Sequence, residues 1–162
     1  MKLNSKNKSL ILDFDFTLCD SSARENEHTK NDMLDLQVYR QTTAKQDKAL
    51  PLLTWLFNNK KCVQSKYNVI ILTNRDFNAA CGSPIKDLVH NAFMVLHRGT
   101  YSPIYGDNFK AILLDKITMG QETVVIDDEP QYLQIARDNN SRVICAKKLW
   151  HYTQHELTRL LL

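Results

Sequence analysis

Short apolar runs alternate along this chain with segments of helical spacing, and this alternation constrains the fold more than any other feature. The runs cover residues 10–15, 68–73, 93–97, 123–127 and 142–145. Apolar runs of this length, separated by helical segments, are typical of parallel strands that are covered by helices on both faces. We therefore predict an α/β fold of three layers, with a five-stranded, mainly parallel sheet in the middle.

Helix-start signals lie between these runs. They are Pro51, the Ser83-Pro84 pair, Asn108, Pro130, and Thr153 with Glu156 as a capping box. The segment 101–105 contains Pro103 between two tyrosines and is predicted to be a loop over the edge of the sheet. The C-terminus is predicted to end in a helix.

Size and composition favour one globular domain. The chain has 162 residues, of which 43% are hydrophobic and 24% are charged, so it is long enough for one core and does not resemble a disordered or fibrous chain. We predict a single domain over residues 1–162. The polar stretch at about 19–50 is predicted to form a small lid or insert within it.

The net charge does not identify a partner, whereas the cysteine content argues against one kind of metal site. The net charge of +3 permits a nucleic-acid partner without indicating one. The four cysteines form no CxxC pair, which argues against a thiolate metal site. The chain has neither a long apolar run nor an apolar N-terminal region, so we predict no membrane association and a cytoplasmic location with reduced thiols.

Paired carboxylates follow two of the predicted strands. Strand alternation is expected to put Asp13 and Asp15 on one side of the chain, and Asp127-Asp128 ends the fourth strand. Ligands of open α/β sheets bind at the carboxyl edge of the strands, and four carboxylates there would repel each other without a cation. This pattern predicts a Mg²⁺ site. The alternative is that these side chains only cap the following helices, with Asp128 placed before Pro130.

Donors for an anion follow the second strand and open a later helix. Thr73 offers a hydroxyl and Arg75 a guanidinium, and Lys110 lies near the start of its helix, with Lys116 as another candidate by composition. Carboxylates with a metal ion, a hydroxyl and two cations suit a phosphoryl group, because its transfer mainly requires positioning and charge neutralisation.

The order Asp13-x-Asp15-x-Thr17, Thr73, Lys110, Asp127-Asp128 resembles that of the haloacid dehalogenase superfamily of phosphohydrolases. The resemblance implies that superfamily's Rossmann-like fold, with a minimal or absent cap. It implies that Asp13 is the nucleophile that forms an aspartyl-phosphate, and that Asp15 is the general acid and base. It also implies that Thr73 and Lys110 bind the phosphoryl oxygens, and that Mg²⁺ is held by Asp13, the Asp15 carbonyl and one or both of Asp127 and Asp128.

Within the superfamily, the chain is similar to small, nearly capless enzymes such as the phosphatase domain of phage polynucleotide kinase-phosphatase. The residues that this likeness assigns to substrate binding are Thr17, Arg24, Asn74, Arg75, Arg98 and Asp107. The chain departs from the usual pattern at Phe16 and Asn74, where glycine is common, and at Glu129, where arginine is common. It contains no GxxxxGK[ST] phosphate loop, so a kinase half is absent from the sequence.

These residues and this resemblance favour a Mg²⁺-dependent phosphomonoesterase whose substrate is a nucleotide or a 3′-phosphorylated nucleic-acid end. The resemblance to phage enzymes suggests a bacterial cytosol or that of a phage-infected cell. A phosphatase of nucleoside monophosphates or other small metabolites is the first alternative. A phosphate- or partner-binding module without turnover is the second, and Phe16 and Glu129 are its only indications.

Overall fold

The computed structural model of the chain describes residues 7–22, 45–78 and 83–162. The predicted substrate-binding Arg24 and most of the insert predicted at 19–50 lie outside these ranges, so the size of a cap stays a prediction. In the ranges that are described, no helix is long and apolar enough to cross a membrane.

Five strands form one parallel sheet. In chain order the strands are β1 (Lys8–Leu12), β2 (Cys19–Asp20), β3 (Lys48–Ala49), β4 (Tyr67–Thr73), β5 (Met94–His97), β6 (Thr123–Asp127) and β7 (Arg142–Cys145). The sheet has the order β5-β4-β1-β6-β7, while β2 and β3 form a separate antiparallel pair. All four pairings in the five-stranded sheet are parallel, which confirms the predicted fold class.

Helices cover both faces of this sheet. They are α1 (Pro51–Asn58), α2 (Lys60–Lys66), α3 (Pro84–Ala92), α4 (Arg98–Tyr105), α5 (Phe109–Thr118), α6 (Pro130–Asp138) and α7 (Gln154–Leu161), with a 3₁₀ turn at Ala146–Leu149. One core cluster joins Leu10 and Leu12 of β1 to apolar residues of α1, α2, α3 and α7. A second joins Ile11 to residues of α5 and α6. Successive β1 side chains thus enter opposite layers, as strand alternation requires.

The topology makes the end of β1 the natural place for a ligand. From β1 the chain continues to β4 and β5 on one side of the sheet, and it then returns to β6 and β7 on the other side. The carboxyl end of β1 therefore lies at the point where the strand order reverses, and open α/β sheets bind their ligands at such a point.

The first strand is shorter than predicted. It ends at Leu12, although the Asp13 N–H still donates to the Ile126 carbonyl at 3.0 Å. Asp15 makes only an isolated bridge with Cys19, and Phe16 has a φ of +56°. The chain therefore turns directly after Asp13, and the expectation that Asp13 and Asp15 share one strand face is wrong.

The predicted loop over residues 101–105 is also wrong, because these residues belong to α4 in spite of Pro103. Tyr101 and Tyr105 pack against the second core cluster, and this burial favours the helix over the local preference of proline. At the start of the helix, a Cβ on Gly99 would clash with the Asp76 carboxylate, so a larger residue there would displace that side chain.

The helix-start signals are mostly confirmed. Ser83 caps α3 by accepting the Lys86 N–H, and Thr153 and Glu156 form the predicted capping box of α7. Asp128 is not a helix cap: the N-cap residue of α6 is Glu129, whose own side chain makes no capping bond. The alternative interpretation of Asp128 as a simple cap is therefore wrong.

Candidate functional site

The carboxyl ends of β1 and β6 bring two buried aspartates to one buried ammonium group. Lys110 Nζ lies 2.8 Å from Oδ1 of Asp13 and 2.8 Å from Oδ2 of Asp127. Lys110 is in the first turn of α5, and 1% of its surface is exposed. Its ammonium also lies 4.1 Å from the centre of the Tyr132 ring. The structure therefore brings together three of the residues that the sequence assigned to one site.

Burial sets the protonation behaviour of this group. Burial raises the pKa of Asp13 well above its usual range, Lys110 opposes that rise, and the negative charges of Asp127 and Asp15 add to it. Burial alone would lower the pKa of Lys110, but the carboxylates of Asp13 and Asp127 outweigh it and raise that pKa. The ammonium therefore stays charged and favours an ionised Asp13.

The same edge offers oxygen ligands for a cation. One carboxylate oxygen from each of Asp13, Asp127 and Asp128 lies within 4.8 Å of the others. Hard divalent cations such as Mg²⁺ prefer carboxylate oxygens, so this set of donors suits such an ion. The charge fits as well, because the buried Lys110 ammonium pairs with Asp13 and Asp127, while the cation beside Asp128, Lys147, is 3.9 Å away and 59% exposed.

Asp127 and Asp128 differ in what their oxygens already contact. One oxygen of Asp127 faces Lys110, and the other accepts the Glu129 N–H at 2.9 Å. Asp128 is less buried, and burial together with the charges of Asp127 and Glu129 raises its pKa. The two neighbouring carboxylates therefore differ in their capacity to bind an additional cation.

The second aspartate of the first motif binds a different cation. The Arg75 guanidinium contacts both oxygens of Asp15, with Nε at 3.1 Å from Oδ2 and Nη2 on Oδ1. Ser21 accepts from Nη2 of Arg75 at 2.7 Å and donates to Asp15. The predicted phosphate-binding Arg75 is thus engaged by a carboxylate, and its side chain is 1% exposed.

A second carboxylate, Asp47, also pairs with Arg75. Its side chain is fully buried, it forms an ion pair with Nη1 of Arg75, and it accepts the Ser83 hydroxyl at 2.7 Å. Sequence reasoning missed the roles of Asp47, Ser21 and Ser83 in this network, because Asp47 and Ser21 belong to no motif and Ser83 was identified only as a helix start. Asp15, Asp47 and the Ser21 hydroxyl accept the hydrogen bonds of the guanidinium. Burial alone would lower the pKa of Arg75, but the carboxylates of Asp15 and Asp47 outweigh it and raise that pKa.

The remaining polar residues near the strand ends are mostly buried. The Thr73 hydroxyl accepts the Arg75 N–H at 3.1 Å, and Asn74 Nδ2 donates to the Tyr132 hydroxyl at 2.8 Å. Two side-chain atoms, Oγ1 of Thr17 and Oδ1 of Asn74, are buried without a hydrogen-bond partner in the part of the chain that the structure describes. Buried polar atoms of this kind commonly mark the place of a ligand or an ordered water.

Two of the predicted substrate-binding residues lie in more open surroundings. Arg98 begins α4, directly after β5. Its guanidinium lies 3.6 Å from the Asp107 carboxylate, and the side chains are 46% exposed for Arg98 and 88% exposed for Asp107. An exposed pair of this kind contributes little to stability and is accessible to a charged ligand. Neither residue contacts the cluster of Asp13 and Lys110 directly.

The turn that follows the second motif aspartate, Asp15, is held by a residue from the C-terminal part of the chain. Phe16 adopts the left-handed conformation that glycine would adopt more easily. Its N–H donates to the Cys19 carbonyl, and its own carbonyl accepts the Trp150 indole N–H at 2.9 Å. The departure from glycine at this position therefore leaves the turn intact.

No protein-family model matches the chain, and no curated protein sequence matches it. Solved structures do. A haloacid dehalogenase-like hydrolase family protein from Streptococcus pneumoniae is similar with a TM-score of 0.62 and 14% identity, over 98% of this chain and 100% of that one. The haloacid dehalogenase domain of the effector protein Lem4 from Legionella pneumophila has a TM-score of 0.61 and 13% identity, over 96% and 94%. The chain therefore has the haloacid dehalogenase-like fold that its motifs predicted.

Proposed function

We propose that the chain is a Mg²⁺-dependent phosphomonoesterase in which Asp13 is the nucleophile. The observation that carries the proposal is the buried cluster of Asp13, Lys110 and Asp127 at the carboxyl end of β1, with Asp128 beside it. The fold neighbours are consistent with a hydrolase of the haloacid dehalogenase type. Two buried carboxylates paired with one lysine suit an anionic substrate that reacts at a carboxylate.

In the proposed reaction, a carboxylate oxygen of Asp13 attacks phosphorus while the bond from phosphorus to the leaving oxygen breaks. Asp15 gives a proton to that leaving oxygen. In the second step Asp15 takes a proton from water, the water oxygen attacks the phosphorus of the aspartyl-phosphate, and Asp13 is released together with phosphate. Lys110 holds Asp13 in place and neutralises charge on the phosphoryl oxygens, with Thr73 as a further donor.

Asp13, the Asp15 carbonyl and Asp128 are the proposed Mg²⁺ ligands, and the ion would supply charge neutralisation at the phosphoryl group. We assign Asp127 a different role, because Lys110 and a backbone N–H already engage its two oxygens. In this proposal Asp127 holds the lysine, and Asp128 binds the metal directly. Thr17, whose buried hydroxyl lacks a partner among the described residues, would donate to the bound ligand.

For the substrate we propose a 3′-phosphorylated nucleic-acid end or a nucleotide. The support is the spacing of motifs similar to that in the phosphatase domain of phage polynucleotide kinase-phosphatase, including Arg24, Asn74, Arg98 and Asp107. The net charge of +3 is compatible with such a partner. The same likeness to phage enzymes supports a bacterial cytosol or that of a phage-infected cell as the location. Small-metabolite phosphatase activity and a binding module without turnover are the competing functions.

The first test is phosphate release with and without Mg²⁺. The substrates are 3′- and 5′-phosphorylated oligonucleotides, 3′- and 5′-nucleoside monophosphates, and an aryl phosphate. We expect release only with Mg²⁺, and we expect Asp13→Asn to reduce it by at least about a thousandfold, because an amide cannot attack phosphorus. Asp115→Asn, which changes an aspartate bonded to Asn139 on the far part of α5, is the matched control and should leave release unchanged.

Each outcome separates the candidate functions. Preference for the 3′-phosphorylated oligonucleotide, with an affinity that falls steeply with salt, supports a nucleic-acid end. Preference for monomers with a weak salt dependence supports a nucleotidase or metabolite phosphatase. Release that is equal in wild type and Asp13→Asn contradicts the nucleophile, and no release from any substrate favours the binding module.

A further inference from the structure

We infer that Asp47 is a positioning residue that acts through Arg75 on Asp15, the proposed general acid. The inference rests on the proposed function and deepens it, since it says how this chain holds the acid at the site. Asp47 lies outside the motifs, and it neither contacts the Asp13 cluster nor is exposed to substrate.

Asp15 is held mainly by the Arg75 guanidinium, with the Ser21 hydroxyl as a second partner. After β1 ends at Leu12, the chain turns, and no strand pairing beyond an isolated bridge to Cys19 fixes Asp15. Its side chain is 29% exposed, whereas the Arg75 side chain bonded to both its oxygens is 1% exposed. A partly exposed carboxylate is therefore oriented by a buried partner.

The position of that guanidinium depends in turn on Asp47. Arg75 donates to both oxygens of Asp47 through Nη1 and Nη2, the latter at 3.4 Å, and its guanidinium carbon lies 4.8 Å from the centre of the Phe14 ring. Bidentate pairing fixes both the plane and the direction of a guanidinium. Two carboxylates and an aromatic ring therefore hold Arg75 in the orientation in which it bonds to Asp15.

Asp47 is itself fixed by its surroundings. Its side chain is fully buried, and the hydroxyl of Ser83, the N-cap residue of α3, donates to it. A buried carboxylate that lacks partners is costly, so this one is retained only because the guanidinium and the hydroxyl satisfy it. The network thus connects α3 and the residue before β3 to Asp15.

Asp47→Asn tests the inference because it keeps the shape of the side chain. The amide presents one acceptor oxygen and one NH₂ donor, and two guanidinium donors face this position, so one of the two contacts to Arg75 is lost. We expect a misdirected Asp15 to slow the reactions that need a proton on the leaving oxygen. General acid catalysis contributes about 100- to 10,000-fold, and a displaced acid should lose part of that contribution.

The measurement is kcat/KM with Mg²⁺ for benzyl phosphate and for 4-nitrophenyl phosphate, two substrates of similar size. The benzyl alkoxide needs a proton to leave and the nitrophenolate does not, and kcat/KM reports the step in which the leaving group departs. We expect Asp47→Asn to lower kcat/KM about tenfold for benzyl phosphate, at the low end of the acid's contribution, and less than about twofold for 4-nitrophenyl phosphate. Asp115→Asn is the control and should change neither value.

Ser21→Ala is the second variant, in case Asp47→Asn does not fold. Ser21 bonds to both Arg75 and Asp15, and its removal creates no unpaired buried charge. It should show the same difference between the two substrates, to a smaller extent.

The outcomes separate this inference from the proposed function. A wild type that releases no phosphate from either substrate overturns the proposed function and the inference with it. If the wild type is active and both variants slow the two substrates equally, or slow neither, Asp47 has only a structural role and the inference alone is overturned.

Discussion

At the scale of single residues, Phe16, which directly follows the second motif aspartate, has a left-handed backbone conformation. A left-handed conformation costs a residue with a side chain about 1–2 kcal/mol. We expect Phe16→Gly to be more stable than Phe16→Ala by about 1 kcal/mol, because both variants lose the ring but only alanine retains a Cβ in this conformation. Urea unfolding of the two variants measures the difference, and equal stability would contradict the assigned strain.

The two aspartates at the end of β6 provide a second prediction at this scale. Asp128→Asn should raise the Mg²⁺ concentration needed for half-maximal phosphate release by at least about tenfold, because it removes a proposed ligand. Asp127→Asn should instead lower activity at saturating Mg²⁺, since it loosens Lys110. Titration of activity with Mg²⁺ distinguishes the two. The assignment fails if Asp127→Asn raises the requirement and Asp128→Asn does not.

At the scale of elements, α7 is held at its start by the capping box. Thr153 accepts the Glu156 N–H at 3.3 Å, and the Glu156 carboxylate accepts the Thr153 N–H at 2.7 Å. Its apolar side is anchored by Leu157 and Leu161 in the first core cluster. We expect Thr153→Ala to lower the free energy of unfolding by about 1 kcal/mol, the usual cost of a lost N-cap, as measured by urea unfolding.

The same capping box predicts a pH dependence. The Thr153 backbone bond lowers the pKa of Glu156, so the folded state binds this proton less readily than the unfolded state does. The resulting stabilisation is present above the unfolded pKa of about 4.3 and is lost as the pH falls through the lower folded value. Wild type should therefore be more stable than Glu156→Gln at pH 7, and the difference should shrink towards pH 3. A difference that stays constant with pH would contradict the role of the charge.

The elements themselves were largely predictable. Strand positions followed from apolar runs, and Ser83 and Thr153 marked helix starts because capping is a local interaction. The exceptions are places where long-range packing outweighs local preference. Tyr101 and Tyr105 are drawn into a helix by burial against the second core cluster, and β1 stops at Leu12 because the chain must turn towards the Cys19 segment.

At the scale of the whole molecule, folding brings together carboxylates whose mutual repulsion destabilises the folded state when no metal ion is bound. One oxygen from each of three carboxylates lies close to the others, those of Asp13, Asp127 and Asp128. Burial, together with repulsion between these charges, raises the pKa of Asp13 and the pKa of Asp128. We expect Mg²⁺ at about 100 times its Kd to stabilise the wild type by about 2.7 kcal/mol. Thermal unfolding should show a rise in Tm with Mg²⁺ for wild type and little rise for Asp128→Asn.

With a chelator present, Asp128→Asn should be more stable than the wild type. The variant loses a carboxylate that is repelled by its neighbours only when the chain is folded. The variant should then have the higher Tm. An equal rise in Tm with Mg²⁺ for wild type and variant would show that the ion binds elsewhere.

The sequence by itself determined that the sheet is parallel and that Asp13 and the Asp127-Asp128 pair meet. It favoured Lys110 for the same site by position, with Lys116 as an alternative by composition. Apolar runs separated by helical segments predict parallel strands. The carboxyl ends of parallel strands share one edge of the sheet, so residues that follow these strands converge there. The tertiary structure alone decided which charges pair. Asp47 lies 28 residues from its partner Arg75 in the chain, and Ser83 lies 36 residues from its partner Asp47. No local sequence pattern relates these residues. Their contact arises only when the turn after β1, the residue before β3 and the start of α3 pack together, since hydrogen bonds between distant residues depend on packing and not on spacing along the chain.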